Sequence, residues 1–233
     1  MEQILKSGLA AMDIQTDEAT LASFKTYYEY LSERNKVMNL TAISGPEDTA
    51  RLHFLDCAAL LNMYGFENKR VIDVGTGAGF PGMVLKIACP SIDITLLDSL
   101  NKRIDFLRET GEKLGLERAE YVHARAEEAP KEYRGAFDIA VSRAVARLGM
   151  LCEMCLPFVK VGGVFIAMKG PDCGDEVAEA ENAMHLLGAE LKGIERYTIP
   201  GTDIVHAAVM IEKTKPTHPK YPRKWAQIKK NPL

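Results

Sequence analysis

The sequence predicts an α/β protein with a doubly wound, mostly parallel sheet, and three observations indicate this fold. A buried-strand pattern at Val71–Val74 leads through a glycine-rich turn into a helical stretch, Met83–Ala88, and this strand–turn–helix unit is typical of such sheets. Strands and amphipathic helices then alternate to about residue 188. Residues 191–199 and 204–211 follow as two strands joined by a short turn, so we expect them to pair antiparallel.

Composition limits the class of protein. The chain has 233 residues, of which 26% are charged and 47% hydrophobic, and these values are ordinary for a globular protein. No apolar run approaches the roughly 20 residues of a membrane span, and the five cysteines occur without a secretory signal. A net charge of −3 argues against a uniformly basic nucleic-acid binder but allows a local basic patch. We therefore expect a monomeric cytoplasmic protein that does not enter a membrane.

Three regions are predicted: a helical N-terminal extension (1–65), a sheet domain (66–212) and a basic C-terminal tail (213–233). In the extension, Thr16 or Asp17 can cap a helix. Its apolar face is expected to pack against the sheet domain and contains Leu21, Phe24, Tyr28 and Leu31. A second helix, opening at Glu47-Asp48, has His53 and Asp56 on one face, and we interpret that couple as a surface or capping pair rather than a catalytic one.

The glycine turn allows more than one ligand. The spacing Gly77-x-Gly79-x-x-Gly82 matches a dinucleotide turn, which is a weak signal by itself. A second pattern begins two residues earlier, at Gly75. Asp73 followed by Gly75-x-Gly77-x-Gly79 resembles the signature of methyltransferases that use S-adenosylmethionine (SAM). A carboxylate nearby suits the ammonium and sulfonium of SAM and would repel a pyrophosphate. The pattern favours SAM, with NAD(P) or FAD as an alternative and a structural turn as a third possibility.

Further candidate residues follow the later strands, at the edge of the sheet where ligands bind. Asp98 ends the second strand, 23 positions after Gly75, where an acceptor for a ribose diol is expected, and it can also cap the next helix. Arg143 ends the fourth strand and Lys169 the fifth. Cys152 and Cys155 form a C-x-x-C pair with apolar flanks and no second pair, so we predict core thiols and no metal site.

The tail is strongly basic. From Lys213 onward it contains seven Lys or Arg residues and no Asp or Glu, with Tyr221 and Trp225 interleaved. Cations and ring faces suit an RNA backbone and its unstacked bases, and a solvated tail is the alternative. If the tail binds RNA, we expect it to contribute to RNA binding and not to SAM binding.

Taken together, the motifs resemble those of the 16S ribosomal RNA guanine-N7 methyltransferase family, also called glucose-inhibited division protein B. The resemblance spans nearly the whole chain and rests on these stretches: Arg51–Asp56, Asp73–Gly82, Leu96–Arg103, Arg125–Glu128, Ser142–Ala144, Lys169-Gly170 and Tyr221–Lys224. It implies a Rossmann-like SAM-dependent methyltransferase sheet with a helical N-terminal extension. It also implies SAM as the cofactor and 16S rRNA or the small ribosomal subunit as the partner.

The resemblance also implies roles for individual residues. The methionine and ribose of SAM would be bound by Gly75, Gly77, Phe80 and Asp98, and its adenine by Ala126 and Glu127. Arg143 would lie near the methyl-transfer centre, and we expect Lys169, Arg223 and Lys224 to contact RNA. Guanine N7 has a lone pair and no proton, so no general base is expected. An NAD(P)-dependent oxidoreductase and a non-catalytic RNA- or ribosome-binding protein remain as alternatives.

Overall fold

The computed structural model describes residues 1–143 and 145–233, so Ala144 of the Ser142–Ala144 motif lies outside the described residues. A seven-stranded sheet in the order β3-β2-β1-β4-β5-β7-β6 forms the centre of the molecule. Its strands are β1 (Arg70–Val74), β2 (Asp93–Asp98), β3 (Ala119–His123), β4 (Phe137–Arg143), β5 (Val159–Lys169), β6 (Ala189–Thr198) and β7 (Val205–Lys213).

The strand pairing confirms the predicted fold class. Strand β1 pairs in parallel with β2 and β4, β2 with β3, and β4 with β5. Strand β7 is antiparallel to both β5 and β6. The C-terminal hairpin therefore extends the sheet beyond β5, with its second strand β7 beside β5 and its first strand β6 at the edge.

The helices are α1 (Glu2–Ala11), α2 (Glu18–Met38), α3 (Pro46–Thr49), α4 (Asp56–Ala58), α5 (Leu60–Met63), α6 (Gly82–Ala88), α7 (Asn101–Leu114), α8 (Leu148–Cys155), α9 (Gly174–Glu179), α10 (Glu181–Leu186) and α11 (Trp225–Lys230). A π-helical turn, Ala50–Leu55, joins α3 to α4. Within the described ranges, no helix is long and apolar enough to cross a membrane.

Two hydrophobic cores cover the two faces of the sheet, because alternate residues of each strand point to opposite sides. Val71, Ile94 and Ile139 belong to the core shared with the N-terminal helices and α6 and α7. Ile72 and Phe165 belong to the core shared with α8, α9, α10 and α11. Each fully buried aliphatic or aromatic side chain contributes about 1.5–3 kcal/mol of transfer free energy, so both cores stabilise the packing of the helices on the sheet.

The N-terminal extension packs as predicted, with one correction. The Asp17 carboxylate accepts a hydrogen bond from the Thr20 N–H at 2.8 Å and caps α2. Leu21, Phe24 and Leu31 are buried, but Tyr27 rather than Tyr28 is the fourth buried member of the stripe. Spacings of three and four residues both return to the same helix face, so periodicity alone does not distinguish the two tyrosines.

The C-terminal tail is packed against the sheet domain. Its first residue, Lys213, is the last residue of β7, and both Tyr221 and Ile228 are buried. The Arg134 guanidinium donates hydrogen bonds to the carbonyls of Thr217 at 2.6 Å, His218 at 3.0 Å and Tyr221 at 2.7 Å. The interpretation as a freely solvated tail is therefore wrong for this segment.

The C-x-x-C pair lies in the core, as predicted. Cys152 and Cys155 are both fully buried in α8, and burial raises the pKa of the Cys152 thiol to about 12. Both thiols are therefore protonated at neutral pH. In the part of the chain that the structure describes, no group of three or more His, Cys, Asp or Glu residues could hold a metal ion.

Candidate functional site

The candidate site lies at the carboxyl ends of β1 and β4. These strands are neighbours, but the chain runs from β1 outward through β2 and β3 before it returns to β4, and ligands of open α/β sheets bind in the crevice at such a switch point. Three cavities lie there. The first and second share Gly75, Asp98 and Val145 as lining residues, and the first and third share His53 and Arg143.

The glycine loop between β1 and α6 requires residues without a side chain. Gly75 has φ +73° and Gly79 has φ +104°, which are left-handed conformations. A Cβ atom on Gly75 would lie 2.7 Å from Val145, and one on Gly79 would lie 2.6 Å from the Tyr27 hydroxyl. The Tyr27 hydroxyl also donates a hydrogen bond to the Ala78 carbonyl. The N-terminal extension thus packs against the glycine loop through Tyr27.

Asp73 supports this loop from inside the protein. Its Oδ2 accepts hydrogen bonds from the Thr76 hydroxyl at 2.7 Å and from the Gly82 N–H at 2.8 Å. Within the described residues, its buried Oδ1 has no hydrogen-bond partner, and burial raises the pKa of this carboxyl to about 6. Asp73 is not among the described residues that line the three cavities. It therefore shapes the loop rather than forming the surface that a cofactor ammonium would contact.

The predicted cofactor residues line two adjoining cavities. The first cavity has a volume of about 380 Å³, and its lining includes Gly75, Gly77, Phe80, Asp98 and Arg143. The second has a volume of about 210 Å³, and its lining includes Gly75, Asp98, Ala126 and Glu127. The structure thus brings together the six residues that the resemblance assigns to the cofactor and Arg143, which the resemblance places near the methyl-transfer centre.

Asp98 keeps one of the two roles considered for it: the helix that follows has Leu100 as its N-cap and no side-chain cap, so the capping role is wrong, whereas the acceptor role remains. It is 3% exposed, and its carboxylate accepts hydrogen bonds from the Gly77 N–H at 2.9 Å, the Leu100 N–H at 2.9 Å and the Arg103 guanidinium at 3.3 Å. A carboxylate offers about four acceptor positions, so these three bonds leave capacity for a hydroxyl. Asp98 holds the loops around the cavity and can still accept a further hydrogen bond.

Arg143 is the centre of a largely buried polar network. Its guanidinium donates to the Asp56 carboxylate at 3.1 Å, the Leu52 carbonyl at 3.2 Å and His53 Nδ1 at 2.8 Å. Its guanidinium carbon also lies 4.8 Å from the centre of the Phe80 ring. These contacts fix the cation between the first and third cavities.

The interpretation of His53 and Asp56 as a surface or capping pair is wrong. Both are buried, at 6% and 1% exposure. Asp56 accepts hydrogen bonds from Arg143, from the Tyr197 hydroxyl at 2.8 Å and from His206 Nδ1 at 2.8 Å. The π-helical turn places His53 and the Leu52 carbonyl towards the same guanidinium, and such turns frequently occur at functional sites.

His53 is neutral in this setting. Burial, with the nearby charge of Arg143, lowers its pKa to about 3. Because a guanidinium has no acceptor, His53 Nδ1 must accept the Arg143 hydrogen bond, and Nε2 carries the proton that is donated to the Thr41 hydroxyl at 2.8 Å. The ring also stacks on Phe80 with centroids 4.1 Å apart. Its only lone pair is therefore already occupied.

The third cavity opens on the other side of His53 and Arg143. Its volume is about 560 Å³, and its lining includes Asp56, Met168, Lys169 and His206. The hydrogen bond to Asp56 raises the pKa of His206. The Lys169 ammonium donates to Glu176 at 2.7 Å and to the Ala146 carbonyl at 3.0 Å, so this predicted RNA contact is already engaged within the protein.

The two predicted RNA contacts in the tail differ from each other. Arg223 donates its backbone N–H and its Nε to Glu153 Oε1, both at 2.8 Å, and its Nη2 to Glu153 Oε2 at 2.6 Å. Glu153 is fully buried, so Arg223 neutralises a buried carboxylate and is not a free cation. Lys224, by contrast, is exposed.

Four residues near the site were not assigned to it from the sequence: Tyr27, Tyr197, His206 and Trp225. Tyr197 and His206 lie on the C-terminal hairpin, 141 and 150 positions from their shared partner Asp56. Trp225 lines the second cavity, and its backbone N–H donates to Glu127. The helical periodicity favoured Tyr28 over Tyr27, and Trp225 was considered only as an RNA contact. The pairing of Tyr197 and His206 with Asp56 has no local sequence signal.

A larger cavity, of about 880 Å³, lies between α9, α10, β6 and the tail. Its lining includes Val177, Met184, His185, Leu191 and Pro216. None of these belongs to the predicted site, so we do not assign this cavity to the reaction.

Comparisons with known proteins place the chain among related sequences. The family described as "GidB: rRNA small subunit methyltransferase G" matches residues 20–204. The chain is 46% identical over 235 residues to ribosomal RNA small subunit methyltransferase G of Alkaliphilus metalliredigens, with 100% of this chain and 98% of the relative covered. It is 44% identical over 233 residues to the protein of the same name from Clostridium perfringens, with 99% and 98% covered.

Solved structures share the fold. M. jannaschii TYW2 in complex with AdoMet superimposes with a TM-score of 0.57 at 14% identity, over 74% of this chain and 79% of that protein. A SAM-dependent methyltransferase from Aquifex aeolicus gives a TM-score of 0.52 at 19% identity, over 70% and 93% of the two chains. At these identities the likeness concerns the fold alone, and it confirms the predicted Rossmann-like sheet.

Proposed function

This chain belongs to the family of rRNA small subunit methyltransferase G, and from that premise we propose that it transfers the methyl group of SAM to N7 of a guanine in 16S ribosomal RNA. One observation carries the proposal: two adjoining cavities are lined by the predicted cofactor residues, and the first of them meets a third cavity across His53 and Arg143. A donor and an acceptor bound on the two sides would approach each other at that boundary. We propose that the protein acts as a cytoplasmic monomer on rRNA or on the small subunit.

The donor sites fit the parts of SAM. The second cavity, beside Ala126 and Glu127, suits the adenine, because a carboxylate can accept from the exocyclic amine. Asp98 lines both cavities and has acceptor capacity left for a ribose hydroxyl. The first cavity, with Gly75, Gly77 and Phe80, suits the methionine portion. The Cβ positions of Gly75 and Gly79 are already filled by neighbouring side chains, so the backbone itself must form this cradle.

The acceptor is proposed to enter the third cavity. Phosphate contacts from exposed cations, such as Lys224, would orient the RNA. Of the five N–H groups of Arg143, three are used by Leu52, Asp56 and His53. Within the described residues the other two have no partner, and we propose that they bind guanine O6 or the carboxylate of SAM. Asp56 balances the charge of Arg143, so the guanidinium can bind a ligand without adding an uncompensated positive charge.

No protein group is required to accept a proton before the transfer. Guanine N7 attacks the methyl carbon with a free lone pair, the bond from carbon to sulfur breaks, and the positive charge moves from the sulfonium to the purine. His53 fits this chemistry because it is neutral and its lone pair already binds Arg143. We therefore assign the rate enhancement to positioning and electrostatics in a preorganised site.

Calorimetric titration with SAM and with NADH, followed by methyl transfer from labelled SAM to small-subunit rRNA, tests the proposal. We expect SAM to bind, NADH not to bind, and label to enter rRNA taken from cells that lack the gene. Binding of NADH without SAM would support an oxidoreductase instead. Binding of RNA without SAM binding or methyl transfer would indicate a non-catalytic RNA-binding protein.

A further inference from the structure

The second cavity has one wall that the chain supplies from its C-terminal end. Ala126 and Glu127 come from the loop after β3, and Met154 comes from α8, whereas Trp225 is the first residue of α11. The Trp225 backbone N–H donates to Glu127 Oε1 at 3.2 Å. The carboxylate proposed to bind the adenine amine therefore also holds the start of α11.

The position of Trp225 is determined by several independent contacts. Two residues earlier, Arg223 forms a two-pronged ion pair with the buried Glu153. Three residues later, Ile228 is buried in the same hydrophobic core that Trp225 packs against. Upstream, Arg134 binds three carbonyls of the tail. The C-terminal segment is thus anchored to the domain by residues both before and after Trp225 in the sequence.

We infer that Trp225 contacts the adenine ring of SAM, and that the C-terminal segment, residues 214–233, completes the cofactor site. This inference rests on the proposed function, because it takes the second cavity as the adenine pocket. An indole face beside a planar base offers stacking, which depends little on which base is present. This inference replaces the expectation that the tail contributes to RNA binding and not to SAM binding.

Tryptophan fluorescence measures this contact directly, because Trp225 is the only tryptophan in the sequence. In a fluorescence titration, SAM, S-adenosylhomocysteine and adenosine should each change the tryptophan emission in proportion to binding, whereas methionine, which has no adenine, should leave it unchanged. The same samples are titrated by calorimetry. Failure of SAM to bind by calorimetry would overturn the proposed function, and the inference with it. Calorimetric binding of SAM with unchanged emission would overturn only the inference.

Substitution gives a second, independent measurement. Trp225→Ala should weaken SAM binding by about 10- to 100-fold, and Trp225→Phe should restore most of the affinity because it keeps an aromatic face. The exposed Lys229 on the same helix provides the matched control: Lys229→Ala should leave SAM affinity unchanged. Affinity for SAM in folded Trp225→Ala equal to that of the wild type would overturn the inference. A Trp225→Ala variant that lost RNA affinity in the absence of SAM but kept its SAM affinity would overturn it as well.

A steady-state assay distinguishes a cofactor contact from a general structural role. For Trp225→Ala we expect the KM for SAM to rise while kcat at saturating SAM and the KM for RNA stay close to the wild-type values. A fall in kcat with no change in the KM for SAM, or an equal rise in both KM values, would contradict a direct contact with adenine.

Discussion

Replacing Arg223 by Ala tests whether the tail is a structural part of the domain. Glu153 has no exposed surface, and Arg223 supplies both prongs of the guanidinium together with its own backbone N–H to that carboxylate. In Arg223→Ala only the backbone hydrogen bond can remain. The carboxylate then stays buried with its charge uncompensated.

The expected cost follows from that burial. Removing one partner of a buried ion pair costs about 3–5 kcal/mol. The Arg223 side chain is 21% exposed, so water screens part of the interaction, and we place the loss in the free energy of unfolding near the lower value, about 3 kcal/mol. For a domain of this size, such a loss corresponds to a fall in Tm of about 6–12 °C.

Urea unfolding with linear extrapolation measures this loss. Lys229→Ala, which removes an exposed cation from the same segment, should change the free energy of unfolding by less than about 0.5 kcal/mol. Adding Glu153→Gln to Arg223→Ala removes the buried charge and should recover at least about 1 kcal/mol, giving a non-additive double-mutant cycle. A loss below about 1 kcal/mol in Arg223→Ala, or the absence of any recovery in the double variant, would refute the reasoning.

Three further predictions concern the cofactor loop and the network around Arg143. Asp98→Ala should weaken SAM binding by about 1–3 kcal/mol through the loss of a charged hydrogen bond, and an unchanged calorimetric affinity would leave Asp98 with only its contacts to Gly77 and Leu100. The pKa of Asp73 is raised from 3.8 to about 6, so its contribution to stability is present below pH 3.8 and is lost as the pH rises through 6. Asp73→Asn lacks this loss, so its free energy of unfolding should rise relative to that of the wild type by up to about 3 kcal/mol between pH 4 and pH 8. If urea unfolding gave the same difference between variant and wild type at both pH values, the assigned burial effect would be contradicted. His53→Gln should leave the single-turnover rate flat from about pH 6.5 to 9, since a neutral His53 has no proton to exchange in that range, and a wild-type limb that disappears in this variant would identify His53 as a base.

The sequence predicted the parts of the site that depend on local structure. The glycine loop, Asp98 and Arg143 lie at the carboxyl ends of strands of a parallel sheet, and those ends meet at one edge. Their position around adjoining cavities follows from the order of strands. Glu127, by contrast, was assigned only through the family resemblance, because its own stretch of sequence predicts no more than the start of a helix. The buried C-x-x-C pair was equally predictable, because its flanks are apolar.

The remaining features depend on contacts between distant parts of the chain. His53 and Asp56 resembled a surface pair because their partner Arg143 lies about 90 positions away and the π-helical turn that orients them has no clear sequence signal. Arg223 resembled a free cation because Glu153 is 70 positions earlier. In both cases the local composition is polar and charged, as the sequence indicates, but only the fold determines which charge is already paired.

Identification of the methylated nucleoside tests the central claim most directly. Small-subunit rRNA from cells lacking the gene is incubated with the full-length protein and SAM carrying a deuterated methyl group, then digested to nucleosides and separated by liquid chromatography with mass spectrometry. We expect the label to appear in 7-methylguanosine. Label on C5 of cytosine or on the exocyclic amine of guanine would contradict the proposed reaction.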